Sequence, residues 1–347
     1  MNYHYFSVPE SSAIHWYRYG NLGVQLFFII SGFVIFQSLE GKPLKEFLKG
    51  RFIRLFPLFW IICTLTYIIS HLVPNTNSLN FWQYLSSMTM LGDTVNGLTG
   101  LHSLIDPSYW TLNVELIFYI LISFFVYFFS YEKLRHFLIG WIILSGLSFA
   151  LHIDQNFFIN LALVRHASYF IFGSTLALIW SNKTKDFISY YINWILLATS
   201  AAFSIYLIPL SLPTYTSINP LDAEIVIYLH LLFFITIPLL VYFSKYVKNK
   251  YFIRVFMIIG GLTYPLYLLH QKIGNTLINY TTNKLNIPWN KFAFIFEIFI
   301  LIISYFVYVQ DSKLRFWLRN YNSNWNILKN KPLIEPIAPL IIPEVIL

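Results

Sequence analysis

Leu55-Phe56-Pro57-Leu58-Phe59-Trp60-Ile61-Ile62-Cys63-Thr64-Leu65-Thr66-Tyr67-Ile68-Ile69-Ser70-His71-Leu72-Val73 is a run of 19 residues without one Asp, Glu, Lys or Arg. A hydrocarbon layer of roughly 30 Å is crossed by about 20 apolar residues in a helix, so this stretch reads as a membrane span. Working outward, eight more runs of this kind occur, near 21–39, 109–130, 137–152, 161–181, 189–210, 223–243, 255–274 and 291–310. They do not alternate with period two, so a closed barrel is excluded and an all-α polytopic bundle of nine spans is expected. Composition agrees: of 347 residues 57% are hydrophobic and only 11% charged, where a soluble domain carries roughly 25%. The lone cysteine, Cys63, rules out an internal disulfide and a multi-cysteine metal site. Residues 1–315 are expected to form the membrane domain and 316–347, with four prolines after residue 331, a cytoplasmic tail.

The basic residues orient these spans. Of 23 Lys and Arg, 18 fall in 40–54, 131–136, 182–186, 244–254 and 311–331, all on one side of a nine-span chain. Such a bias places those segments in the cytoplasm and Met1 outside. It also accounts for the formal charge of +8 without invoking nucleic acid. The longest outer loop, about 74–108, is polar and turn-rich, with Trp82 and Tyr84 suited to the membrane interface.

Ionisable side chains within spans are costly unless paired or lining a wet cavity, which makes each a site candidate. Glu115 stands six residues into the third run and His270 late in the eighth; Glu297 is mid-run in the last. Each could equally tie helices together by hydrogen bonds. Arg165, His166, Asp222, Glu224 and Lys272 lie near outer ends, as anchors or entrance residues, and His4 and His15 precede the first complete span. Ser31-Gly32 reads either as a small-residue packing patch or as part of a site. In Arg51-Phe52-Ile53-Arg54 the two arginines share one helix face at i, i+3. Positive-inside anchoring explains them; so does a bidentate grip on a phosphate-bearing cytosolic ligand. No phosphate-binding Gly-rich loop, nucleophile elbow or zinc-ligand spacing is present in the sequence.

Four segments together resemble the acyltransferase family 3, bacterial membrane-integral enzymes that O-acylate surface carbohydrates. They are Gly23 to Val34 (GVQLFFIISGFV), Phe47 to Pro57 (FLKGRFIRLFP), Tyr109 to Tyr119 (YWTLNVELIFY) and Gly260 to His270 (GGLTYPLYLLH), in family order. The resemblance covers about residues 1–315. It implies an acyl-CoA donor, most simply acetyl-CoA, bound from the cytoplasm of the bacterial inner membrane at Arg51 and Arg54. It implies an acceptor hydroxyl on an envelope glycan or its lipid-linked precursor, reached from the outer side, with no metal and no nucleic-acid partner. His4, in Tyr3-His4-Tyr5, matches the family's essential histidine and is expected to be the general base. Glu115 is expected to orient it or to hold the sugar. Ser31, Gly32, Phe33, Trp110, Tyr119, Tyr264, Tyr267 and His270 are expected along the substrate channel. The family motif also has an Arg eleven residues before this histidine, upstream of Met1. The family's first helix is therefore expected to be almost wholly missing from the chain, which makes ten spans with it.

An acyl-histidine intermediate and direct transfer with general-base help both remain open at this level. A reading from another class, a flippase or transporter of a lipid-linked sugar, draws on the intramembrane acids Glu115 and Glu297 and the outer Asp222 and Glu224. Dependence on acyl-CoA separates the two.

Overall fold

The computed structural model describes residues 15–74, 79–100, 104–181, 187–210, 222–286 and 289–328, and among these every regular element is helical. After a 3-10 segment, His15–Leu22, the helices are α1 Gly23–Leu39, α2 Leu44–Leu72, α3 Phe81–Met88, α4 Gly92–Thr99, α5 Trp110–Phe129 and α6 Leu134–Ala150. They continue with α7 Ala167–Trp180, α8 Phe187–Tyr206, α9 Ala223–Ser244, α10 Lys250–His270, α11 Lys272–Leu285 and α12 Trp289–Leu328. The protein is an all-α, multi-pass helical bundle.

Seven segments among the described residues are long and apolar enough to cross a membrane, where nine were expected. The two that differ are the fourth and fifth runs, which form helices of 17 and 14 residues. In the fifth, residues 161–166 are spent in turns, with Leu163 at φ 52°, so α7 begins only at Ala167. Every residue of α7 from Ala167 to Ala177 is buried. A helix clad in protein on all sides needs no full hydrophobic length of its own, because its neighbours, not lipid, cover it.

Three further expectations are corrected. The second span does not begin at 55: α2 starts at Leu44 and runs 29 residues, about 43 Å at 1.5 Å per residue, so its basic first turns are helix, not loop. The eighth span ends at His270 rather than 274; the chain bends at Gln271 and continues as α11. The loop 74–108 is not mere turn: it holds α3, opened by a capping box from Asn80 and Gln83, and α4, which pack against α2 and α5. They are fastened to α2 by Trp60 Nε1–H donating to the Met88 carbonyl at 3.0 Å. Thr94 fastens them to α5, donating to Asn113 Oδ1 through N–H at 3.2 Å and through its hydroxyl at 2.9 Å. The last helix, α12, is continuous from Trp289 to Leu328.

The tightest packing is between α1 and α7. A Cβ added at Gly173 would stand 1.9 Å from the Ile29 carbonyl oxygen, and one at Gly32 would stand 2.3 Å from that of Phe170. Backbone meets backbone there, and Ser174 Oγ donates to the Gly32 carbonyl at 3.3 Å. Two facing glycines let helices approach as small-residue motifs do in membranes. Beside this seam a layer of rings, Phe28, Phe118, Trp141 and Phe170, stacks through the core at centroid spacings of 4.2–6.2 Å.

Candidate active site

The site grows from α2. Its basic first turns carry Arg51 and Arg54, ten residues and more than two turns into the helix at Arg54, which brings that guanidinium near Glu115. From the opposite side α5 descends, and its sixth residue, Glu115, is buried at 3% exposure. Glu115 interacts electrostatically with both Arg54 and Arg51. Its Oε1 accepts a hydrogen bond from the Tyr119 hydroxyl, one turn on, and a longer one from Ser31 Oγ of α1 at 3.5 Å. Arg51 holds its guanidinium against two rings, with Cζ 5.3 Å from the centroid of Phe47 and 5.9 Å from that of Tyr119. Tyr264 of α10 donates to the Leu55 carbonyl at 2.8 Å, next to Arg54, and is electrostatically coupled to Glu115 and Arg54. Four helices thus contribute to one polar cluster: α1, α2, α5 and α10.

Among the described residues neither arginine makes a direct ion pair; the pairs found are Arg165–Asp154 at 2.8 Å and Arg315–Asp311 at 3.0 Å. A guanidinium carries five N–H donors, more than the contact of Arg51 with Tyr119 uses. A groove of about 380 Å³ opens beside Arg51, lined by Leu48, Lys49, Phe52, Leu55, Phe56, Leu116, Tyr119 and Ile120. No group of three His, Cys, Asp or Glu suited to a metal ion occurs among the described residues.

Of the residues singled out in sequence, Ser31, Arg51, Arg54, Glu115, Tyr119 and Tyr264 come together. The others do not. Gly32 and Phe33 belong to the α1–α7 seam, so of the Ser31-Gly32 pair one residue faces the site and the other packs. Trp110 lies in an aromatic layer against Phe28, ring centroids 6.1 Å apart, and His166, 5.6 Å. Tyr267 and His270 serve the outer end. The Tyr267 hydroxyl donates to the Ser108 carbonyl and pairs with the Thr111 hydroxyl, while His270 Nδ1 is 2.7 Å from the Tyr267 carbonyl. Asp222 caps α9 by accepting from the Glu224 N–H at 2.9 Å. His4 lies outside the described residues.

Sequence reasoning passed over Asp106. Fully buried, it accepts from the Ser108 N–H and hydroxyl, each at 2.8 Å, and from the Lys272 N–H at 3.0 Å. It thereby ties the start of α5 to the bend between α10 and α11. Burial pushes its carboxyl above the ordinary aspartate range, against the pull of those donors and of Lys272. The Asp-Pro-Ser spacing, a capping signature, was the available signal.

A multi-pass helical bundle with half-buried cations around a buried carboxylate defines a membrane protein with a polar cluster between its helices. A protein-family model described as "Acyltransferase domain" matches residues 1–323, and the chain belongs to that family, acyltransferase family 3. It is a membrane acyltransferase. Neither the curated proteins nor the solved structures gave a match.

Proposed function

We propose that the protein moves an acyl group, most simply acetyl, from cytoplasmic acyl-CoA to a hydroxyl of an envelope polysaccharide or of its lipid-linked precursor, in the bacterial inner membrane. The observation that carries this reading is the meeting of Arg51 and Arg54, which enter from the basic cytoplasmic side, with Glu115, which enters from the outer side. A donor held by its phosphates on one side and an acceptor approaching from the other share that one interior. Guanidinium forks suit phosphate oxygens.

In the transfer, the acceptor oxygen attacks the thioester carbonyl carbon as His4 takes the hydroxyl proton. The C–S bond breaks, and the proton passes to the leaving thiolate, giving an ester and coenzyme A. A histidine with a pKa near neutrality suits both halves of that exchange, and general bases typically contribute about 10²–10⁴-fold. Glu115 lies close to the guanidiniums and is itself held by Tyr119 and Ser31.

The test is mass spectrometry of the surface polysaccharide with and without the gene, joined to transfer from labelled acetyl-CoA by the purified protein. Loss of a donor-dependent ester on deletion supports the reading. Sugar translocation that proceeds without any acyl-CoA would sink it in favour of a flippase.

A further inference from the structure

The positive side of the cluster does not end with α2. Arg315 of α12 pairs with Asp311 one turn earlier, at 3.0 Å, and the pair is turned inward, with side-chain exposures of 23% and 2%. Its neighbours Lys313 and Arg319 are exposed, as residues that only anchor a cytoplasmic helix end should be. The rotation of α12 is set by α10, where a Cβ at Gly261 would come within 2.2 Å of the Tyr308 ring. Tyr308, Asp311 and Arg315 follow at i, i+3 and i+7, hence on one face. That face looks toward α2: Arg315 is electrostatically coupled to Arg54, and Tyr264 to both Asp311 and Arg54. Asp311 Oδ1 is buried without a hydrogen-bond partner among the described residues. Arg54 is thus coupled to Glu115 and to Arg315, and Arg315 in turn to Asp311 and Arg319, so guanidiniums outnumber carboxylates along this line of contacts. Buried like charges are tolerated where an anion answers them.

We propose that Arg315, held by Asp311, is a third phosphate ligand of the donor site. It engages the ribose 3′-phosphate of acyl-CoA while the Arg51–Arg54 pair takes the pyrophosphate. This deepens the donor reading given above and rests on it. Two arginines on one helix face suit two linked phosphates, whereas a guanidinium from a separate helix suits a phosphate set apart on the ribose. Asp311 is then a positioning residue.

Binding of coenzyme A and of 3′-dephospho-coenzyme A to the full chain in lipid nanodiscs, measured by titration calorimetry, tests this. The wild type should favour coenzyme A by about tenfold or more, the worth of a charge-assisted hydrogen bond. Arg315→Ala should bind the dephospho compound as the wild type does and lose that preference; Arg315→Lys should restore part of it. Asp311→Asn should reduce the same ratio. Wild-type preference retained in Arg315→Ala, or equal loss of both ligands in the alanine and lysine variants, would overturn the assignment while leaving the donor reading standing. A wild type that binds neither compound would instead overturn the donor reading itself.

Discussion

Arg51 and Arg54 differ in what holds them, and their substitutions should differ accordingly. Arg51 leans on the Phe47 and Tyr119 rings, while Arg54 sits nearer the Glu115–Tyr264 side. Arg51→Ala and Arg54→Ala should each raise the apparent KM for acyl-CoA about tenfold or more while the protein still inserts, and lysine should rescue only partly because the fork is lost. Normal donor affinity in both alanine variants would return the pair to topological anchoring. Tyr119→Phe separates two roles of one side chain. The ring under Arg51 stays, but the hydroxyl that Glu115 accepts from is gone. Donor KM should hold and kcat should fall about tenfold, the worth of a hydrogen bond to a charged group; a change in KM alone would contradict this. At the N-terminal segment, His4→Ala should abolish transfer and His15→Ala should be mild. The reverse result would move the general base to His15.

Among the elements, the α1–α7 seam and the outer junction are where the fold is least forgiving. Gly173→Ala sets a methyl 1.9 Å from a backbone oxygen, which no rotamer change relieves. We expect it to cost about 1–3 kcal/mol, seen as a lower melting temperature in detergent. Because α1 must then shift, Ser31 should lose Glu115 and activity should fall further than stability; an unchanged melting temperature would show that the helices can part freely. Asp106→Ala leaves three donors buried without an acceptor, at about 1–3 kcal/mol each at most, and should loosen the bend at Gln271. Its pH dependence has a definite sign. With the folded carboxyl above its unfolded value, the native state binds the proton more tightly. The contribution of Asp106 is then fully present in acid below the unfolded value and declines as pH rises through the folded one. Melting curves of wild type and Asp106→Asn across that range should converge at the acid end.

For the whole molecule, the charge bias and the helix order lead us to expect one topology, with the bend after α10 and the α3–α4 layer on the outer side and the α9–α10 connection inside. Cys63 is fully buried and is the only cysteine, so it gives no background to thiol labelling. Thr99→Cys should react with an impermeant maleimide in intact cells, and Lys248→Cys only after permeabilisation. The opposite pattern would invert the bundle and separate the arginines from the cytosolic donor.

The sequence by itself determined the class of the protein, because crossing a bilayer is a demand on local length and apolarity that any window reports. It also gives an expected sidedness, since positive charges are counted loop by loop, and it marked Arg51, Arg54, Glu115 and Tyr264 as costly or motif-bearing residues. The tertiary structure alone decided which of them meet. A window of hydropathy ends α2 at Leu55, because lysine and arginine lower the average, yet both are good helix formers and the helix runs back to Leu44. That extension carries Arg54 into reach of a glutamate that starts from the other face of the membrane. Similarly, a count of cations treats Arg315 and Lys313 alike, while the rotation fixed by Gly261 and Tyr308 turns one inward and leaves the other in solvent. Spacing along one helix predicts its own faces; which neighbour a face meets depends on packing between segments some 200 residues apart in sequence, such as Leu55 and Tyr264, and no local pattern encodes that.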